Sequence, residues 1–149
     1  LIELHKCYEG RDEDLDTNIL DEDKLLDLLE PMYEEAEEES ISIVIDFHMP
    51  EIFPERWWDL VLVLRTNTEQ LFDRLTERGY SDRKRDENMQ SEVMQVVLDE
   101  AREAYDTNIV HQVASNTVDD MESNVQRVRD WSLQWIADTT NGDDDDDLS

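Results

Sequence analysis

ISIVIDFH (41–48), followed after a Pro- and Trp-containing segment by LVLVLRTNTEQLFDRLTERGY (60–80), decides how this chain is read. Both opening runs are short, rich in β-branched residues and leucine, and apolar on both faces, the pattern of parallel strands covered by helices. The first run ends on Asp46 with His48 two residues on. The second leads into a helix carrying Arg74 and Arg78, four residues apart and therefore on one face. A carboxylate at the tip of a buried strand, followed by paired guanidinium groups, suits magnesium-nucleotide chemistry. Such chemistry also calls for a glycine-rich phosphate loop. The three glycines of the chain, Gly10, Gly79 and Gly142, stand in no G-x-x-x-x-G-K-[ST] setting.

Outward from this centre, residues 1–20 show no sustained period and read as mostly loop with one helical turn. Asp21 caps a helix with Leu25, Leu28, Leu29 and Met32 on one face, which Pro31 ends or kinks. Asn67 or Thr68 caps the helix 69–78, in which Leu71, Phe72 and Leu75 face inward and Gly79 supplies the stop. Residues 81–86 read as short, charged and mobile, and 87–105 as one long helix. Residues 108–113 form a third strand candidate. Ser115 and Asn116 make a turn, and Thr117 caps a last helix whose apolar stripe runs through Met121, Val125, Val128, Trp131 and Trp135. Residues 141–149 read as a disordered acidic tail. Helix, strand, helix, strand, helix, strand, helix is the order of an α/β layered parallel sheet, with no internal repeat.

The 149 residues suit one domain, 1–140. With 41 acidic against 13 basic side chains the formal charge is −28, which argues against direct binding to nucleic acid and favours cationic partners such as basic protein segments. For most of these acids a solvated surface is the simpler reading. Cys7 is the only cysteine, so no internal disulfide forms and the chain reads as nuclear or cytoplasmic. Its apolar runs, such as 60–64, are far too short to cross a bilayer, and no signal segment opens the sequence. The chain opens on Leu1 in what reads as the middle of a segment, so a fragment is expected.

The segments ILDEDK (19–24), IDFH (45–48) with FPERWW (53–58), VLRTNTEQLFDRLTERGY (63–80) and the SNT turn (115–117) resemble the nuclear adenylate kinase isoenzyme 6 family, the coilin-interacting nuclear ATPases, from the first residues to about Trp135. The resemblance implies a three-layer parallel sheet of the nucleoside monophosphate kinase type and adenylate kinase and ATPase activities using magnesium with ATP and AMP. It also implies a role in small-ribosomal-subunit maturation through a basic ribosomal protein of that subunit. By the same resemblance, Asp46 takes the Walker B place, orienting magnesium through water. His48 completes an Asp-x-His signature that positions a nucleophilic water. Arg74 and Arg78 contact phosphate or stack on a base at the start of a small lid, 77–87, to which Lys84 adds charge. Ser115, Asn116 and Thr117 lie against adenine, and residues 1–20 are the remainder of the monophosphate-binding segment. A monomer is expected.

Two departures accompany the resemblance. Met49, Pro50 and Glu51 stand where the family has Gly-Cys-Asp, so close backbone approach to the acceptor nucleotide is lost there. The family's first strand, phosphate loop and first helix have no counterpart in these residues. In that fold the first strand lies between the strand ending at Asp46 and the one ending at Arg65, so two inner edges are expected to stay unpaired and the polypeptide to be inactive alone. An acidic, non-catalytic assembly factor binding a basic ribosomal protein is the alternative.

Without the family context, Asp46 reads as a turn or cap residue, and Arg74 and Arg78 as a solvated helix face. His5 and His111 read as ordinary polar residues, and no zinc set exists. Trp57, Trp58, Trp131 and Trp135, with Met89, Met94 and Met121, read as core.

Overall fold

The computed structural model describes the backbone of residues 1–14 and 17–142, and side chains as far as residue 139. Its centre is the parallel pair β3 (Val61–Arg65) and β4 (Val110–Ala114), in register from Val61 opposite Val110 to Arg65 opposite Ala114. The connection between them climbs through α3 (Thr68–Glu77), α4 (Asp82–Val93) and α5 (Val96–Ala104), as a crossover between parallel strands must. Leu98 and Ala101 of α5 pack on Val63 and Val110, with Tyr105 closing the cluster. The fold class is thus α/β with a parallel sheet, as expected, built around these two strands among the described residues.

The run 41–46 is not a strand. Ile41 donates to the Ala36 carbonyl at 2.8 Å, but among the described residues no backbone hydrogen bond is made by 42–48. Val44 is 92% exposed. A strand exists only through a neighbour that takes up its amides and carbonyls, and β3 gives its paired edge to β4. The apolar pattern of ISIVID predicts a strand, and among the described residues nothing pairs with it. Its inner side lines a cavity of about 290 Å³ together with Leu25, Leu29, Tyr33, Phe53 and Trp57.

The N-terminal segment is more ordered than its sequence suggests. After the short helix α1 (Ile2–His5), β1 (Tyr8–Asp12) pairs antiparallel with β2 (Thr17–Leu20). Nearly every residue of this hairpin is exposed, so no alternation of apolar and polar residues marked it. Cys7, fully buried, packs with Leu25, Leu29, Phe53 and Trp57 in the second core cluster. Helix α2 (Glu22–Glu38) starts at the Asp21 cap, whose carboxylate accepts from the Lys24 amide at 3.0 Å, and continues through Pro31 rather than ending there. Pro31 lies on the exposed side of α2, where water can serve the carbonyl left without its amide donor. Leu25 and Leu29 are buried as expected, whereas Met32 stays 47% exposed.

Residues 81–86, expected to be a mobile loop, are helical: Ser81 accepts from the Lys84 amide at 3.3 Å and caps α4. The expected single helix 87–105 is two helices, broken at Gln95, which sits in the left-handed region at φ 59°. No glycine or proline announces that break. Gly79, at φ 73°, is the stop expected after α3. Helix α6 (Val118–Gly142) runs two residues into the expected tail, and residues 143–149 lie outside the described ones. Its stripe is less buried than its period implies: Val128 is half-buried, but Met121, Val125, Trp131 and Trp135 are exposed. Met94 is exposed as well, so of the residues read as core, Met94, Met121, Trp131 and Trp135 are not.

The loop between the apolar runs is pinned from α5. The Tyr105 phenol donates to the carbonyls of Pro50 and, at 3.1 Å, Phe53, and burial pushes its pKa above the ordinary value, keeping the donor protonated. Tyr33 reaches the Arg56 carbonyl at 3.1 Å from the other side. Tyr105→Phe is expected to lower unfolding free energy by about 1–2 kcal/mol in urea melts, because two carbonyls lose their donor. Unchanged melts would mean that water substitutes fully.

Candidate functional site

The carboxyl ends of parallel strands are where open α/β sheets receive ligands, because the strand-to-helix turns diverge there. In this chain that end is a polar depression of about 280 Å³ whose lining includes Arg65, Thr66, Asn67, Glu92, Gln112 and Asn116. Two turns build it. After β3, Asn67 caps α3 by accepting from the Gln70 amide at 2.9 Å. After β4, Thr117 and Asp120 cap α6 reciprocally: Thr117 Oγ1 accepts from the Asp120 amide at 3.1 Å, and Asp120 Oδ2 accepts from the amides of Asn116 and Thr117 at 2.9 and 3.1 Å.

The two turns are tied to each other. The Ser115 amide donates to the Arg65 carbonyl at 2.7 Å, and the Asn67 amide to Asn116 Oδ1 at 2.8 Å. Arg74 reaches across from α3: Nη1 donates to the Ser115 carbonyl at 2.7 Å and Nη2 to the Asn116 carbonyl at 2.6 Å. Arg65 is paired with Glu92 at 2.6 Å, both side chains largely screened from solvent, which anchors the end of α4 to the end of β3. The structure therefore brings together Arg74, Ser115, Asn116 and Thr117 of the residues singled out in the sequence.

The others stand apart from this knot. Arg78 is the exposed C-cap of α3. Lys84, in the first turn of α4, lies with Nζ 4.6 Å from the centre of the Tyr80 ring. Asp46 and His48 belong to the 41–48 segment; both are exposed, Asp46 at the rim of the apolar cavity and His48 with its ring 4.8 Å from that of Phe47. Among the described residues no hydrogen bond or ion pair joins either to Arg74, Arg78, Lys84 or the 115–117 turn. No group of three or more His, Cys, Asp or Glu is placed to hold a metal among the described residues.

Sequence reasoning missed Arg65, Thr66, Asn67 as a site residue, Glu92 and Gln112. The end of the 60–65 run followed directly by a cap was a usable signal for the first three. Glu92, 27 residues from its partner Arg65, carried none.

Parallel strands joined by a helical crossover, with a polar cleft at their carboxyl ends, are features of an α/β domain of the P-loop kinase-like class. In agreement, the family model of the AAA domain matches residues 1–95. Among curated proteins, the chain is 48% identical over 125 residues to the adenylate kinase isoenzyme 6 homolog HBR1 of Candida albicans, covering 84% of this chain and 48% of that protein. It is 43% identical over 136 residues to the homolog FAP7 of Saccharomyces cerevisiae, covering 91% and 66%. To the homolog of Schizosaccharomyces pombe it is 43% identical over 135 residues, covering 91% and 74%. The chain belongs to the adenylate kinase isoenzyme 6 family. It spans between about half and three quarters of the length of these relatives. Among the described residues no helix is long and apolar enough to cross a membrane.

Proposed function

We propose that this chain is the downstream portion of an ATP-dependent nucleoside monophosphate kinase and ATPase, converting ATP and AMP to two ADP and hydrolysing ATP, with a site for adenine at the carboxyl ends of β3 and β4. The observation that carries the reading is the double turn at 65–67 and 114–117, a rigid polar cleft where such sheets receive ligands. Ser115, Asn116 and Thr117, with Arg74 behind them, form the base end. Arg78 and Lys84, within the lid 77–87, supply positive charge for phosphates. His48 is the residue to position an attacking water. Residues 1–20 are the remainder of the monophosphate-binding segment, and 141–149 an acidic tail.

The fit to magnesium-ATP is partial. Magnesium keeps most of its waters and takes oxygen from phosphates, so the single exposed carboxylate of Asp46 suits a water-mediated ligand. The triphosphate itself needs a cradle of backbone amides and a lysine, and these 149 residues contain no such loop. No phosphoryl-transfer step is therefore assigned to this polypeptide by itself.

Amide-resolved NMR titration tests the reading. Adenosine is expected to perturb residues 65–67 and 114–117 with millimolar affinity, and magnesium-ATP to bind no more than roughly tenfold more tightly, because its phosphates find only exposed charges. Tight magnesium-ATP binding would refute the partial fit, and a silent cleft would refute the base site.

The formal charge of −28 favours a second role, as an acidic assembly factor gripping a basic protein of the small ribosomal subunit in the nucleus or cytoplasm. Capture of that protein is expected to fall at least about tenfold between 50 and 300 mM salt. Salt-independent capture would exclude electrostatic docking.

A further inference from the structure

The 114–117 turn has its backbone committed almost wholly inside the protein. The amides of Ser115, Asn116 and Thr117 are spent on the Arg65 carbonyl and on Asp120. The carbonyls of Ser115 and Asn116, consecutive along the chain, both turn toward one guanidinium, at 2.7 and 2.6 Å. Two neighbouring carbonyl dipoles converging on one place repel each other unless a cation with two forked donors lies between them, and the planar fork of Arg does this where the point charge of Lys cannot.

What remains for a ligand follows from that arrangement. Asn116 Oδ1 is taken by the Asn67 amide at 2.8 Å, and since a backbone N–H must meet an oxygen, the side-chain amide has one orientation. Asn116 lines the cleft with Oδ1 engaged by that amide, which leaves Nδ2 as its uncommitted donor among the described contacts. A fixed donor suits the unprotonated ring nitrogen on the pairing edge of adenine and opposes the N–H that guanine carries at the same place.

We propose that Arg74 is a positioning residue of the base site: by holding the Ser115 and Asn116 carbonyls it keeps Asn116 Nδ2 aimed as a donor, and so sets the preference for adenine over guanine. This rests on the base-site reading above. Arg74 acts through the turn and not by gripping phosphate.

The test uses the 149-residue chain, its Arg74→Lys and Arg74→Ala variants, and Arg127→Ala as a control on the exposed side of α6. Amide spectra are recorded free and with adenosine, guanosine and magnesium-ATP. In the free protein, Arg74→Ala is expected to shift the resonances of 115–117, Arg74→Lys to shift them less, and Arg127→Ala to leave them in place. With ligand, Arg74→Ala is expected to lose roughly tenfold in adenosine affinity and its preference over guanosine, with partial retention in Arg74→Lys. Should Arg74→Ala fail to fold, Arg74→Lys carries the comparison, a loss of preference in a well-dispersed spectrum supporting the proposal. Unmoved turn resonances, or an unchanged base preference, would overturn it. So would weakened magnesium-ATP binding with adenosine binding intact, since Arg74 would then be a phosphate ligand. Absence of any adenosine response in the unmodified chain would instead overturn the base site on which the proposal stands.

Discussion

ADP formation from AMP and magnesium-ATP is expected to be at least about 1,000-fold slower with the 149-residue polypeptide than with the same polypeptide preceded by a strand, a G-x-x-x-x-G-K-[ST] loop and a helix. Phosphoryl transfer needs little covalent help from protein and depends on positioning and charge. The loop would contribute both, through amides and a lysine around the phosphates. The added strand would act a second time, on geometry. Lying between 41–46 and the unpaired edge of β3, it would take up the backbone groups that 42–48 leave unbonded and fix Asp46 and His48 relative to the cleft. In the extended polypeptide Asp46→Asn is expected to remove most of the gained rate, since a neutral amide orients hydrated magnesium poorly. A coupled assay of ADP decides the matter. Comparable rates with and without the added unit would show that the phosphates are held by groups within 1–149.

Leu98→Ala is expected to be among the most damaging single substitutions to folding, costing about 3 kcal/mol, or roughly 100-fold in the folding equilibrium. Leu98 is 1% exposed and stands where α5 meets Val63 and Val110, so truncation opens a hole in the cluster that holds α5 on the sheet. Leu64 on the same sheet is 58% exposed, and Leu64→Ala should change stability by no more than about 0.5 kcal/mol. Urea denaturation of both variants makes the comparison. A small loss at Leu98 would mean that α5 closes onto the sheet without it.

The sequence carried those features that depend on neighbours along the chain. Asp21, Asn67 and Thr117 cap helices because a short polar side chain followed three residues on by a free amide is a local arrangement. The run 61–65 became a strand because it found 110–114. The run 41–46, no less apolar, did not, since pairing is decided by a second segment and not by composition. The break at Gln95 had no glycine or proline to betray it, and the hairpin strands 8–12 and 17–20 had no alternating apolar pattern. Within the site, Arg74 and the 115–117 turn were each singled out for family reasons, whereas their direct contact across 41 and 42 residues of chain was invisible to periodicity. Glu92 shows the same limit: nothing about a glutamate near the end of a charged helix says that it will neutralise an arginine at the end of a distant strand.

The open 41–48 segment also shapes how this polypeptide behaves in a tube. Amides left unbonded beside Ile43 and Val44 can template another molecule's backbone, and the formal charge of −28 opposes the approach of copies. Acidification toward the isoelectric point near 4.1 strips that repulsion away while leaving the sticky edge intact. Storage well above that pH, at modest ionic strength, is therefore a condition of keeping the molecule dispersed.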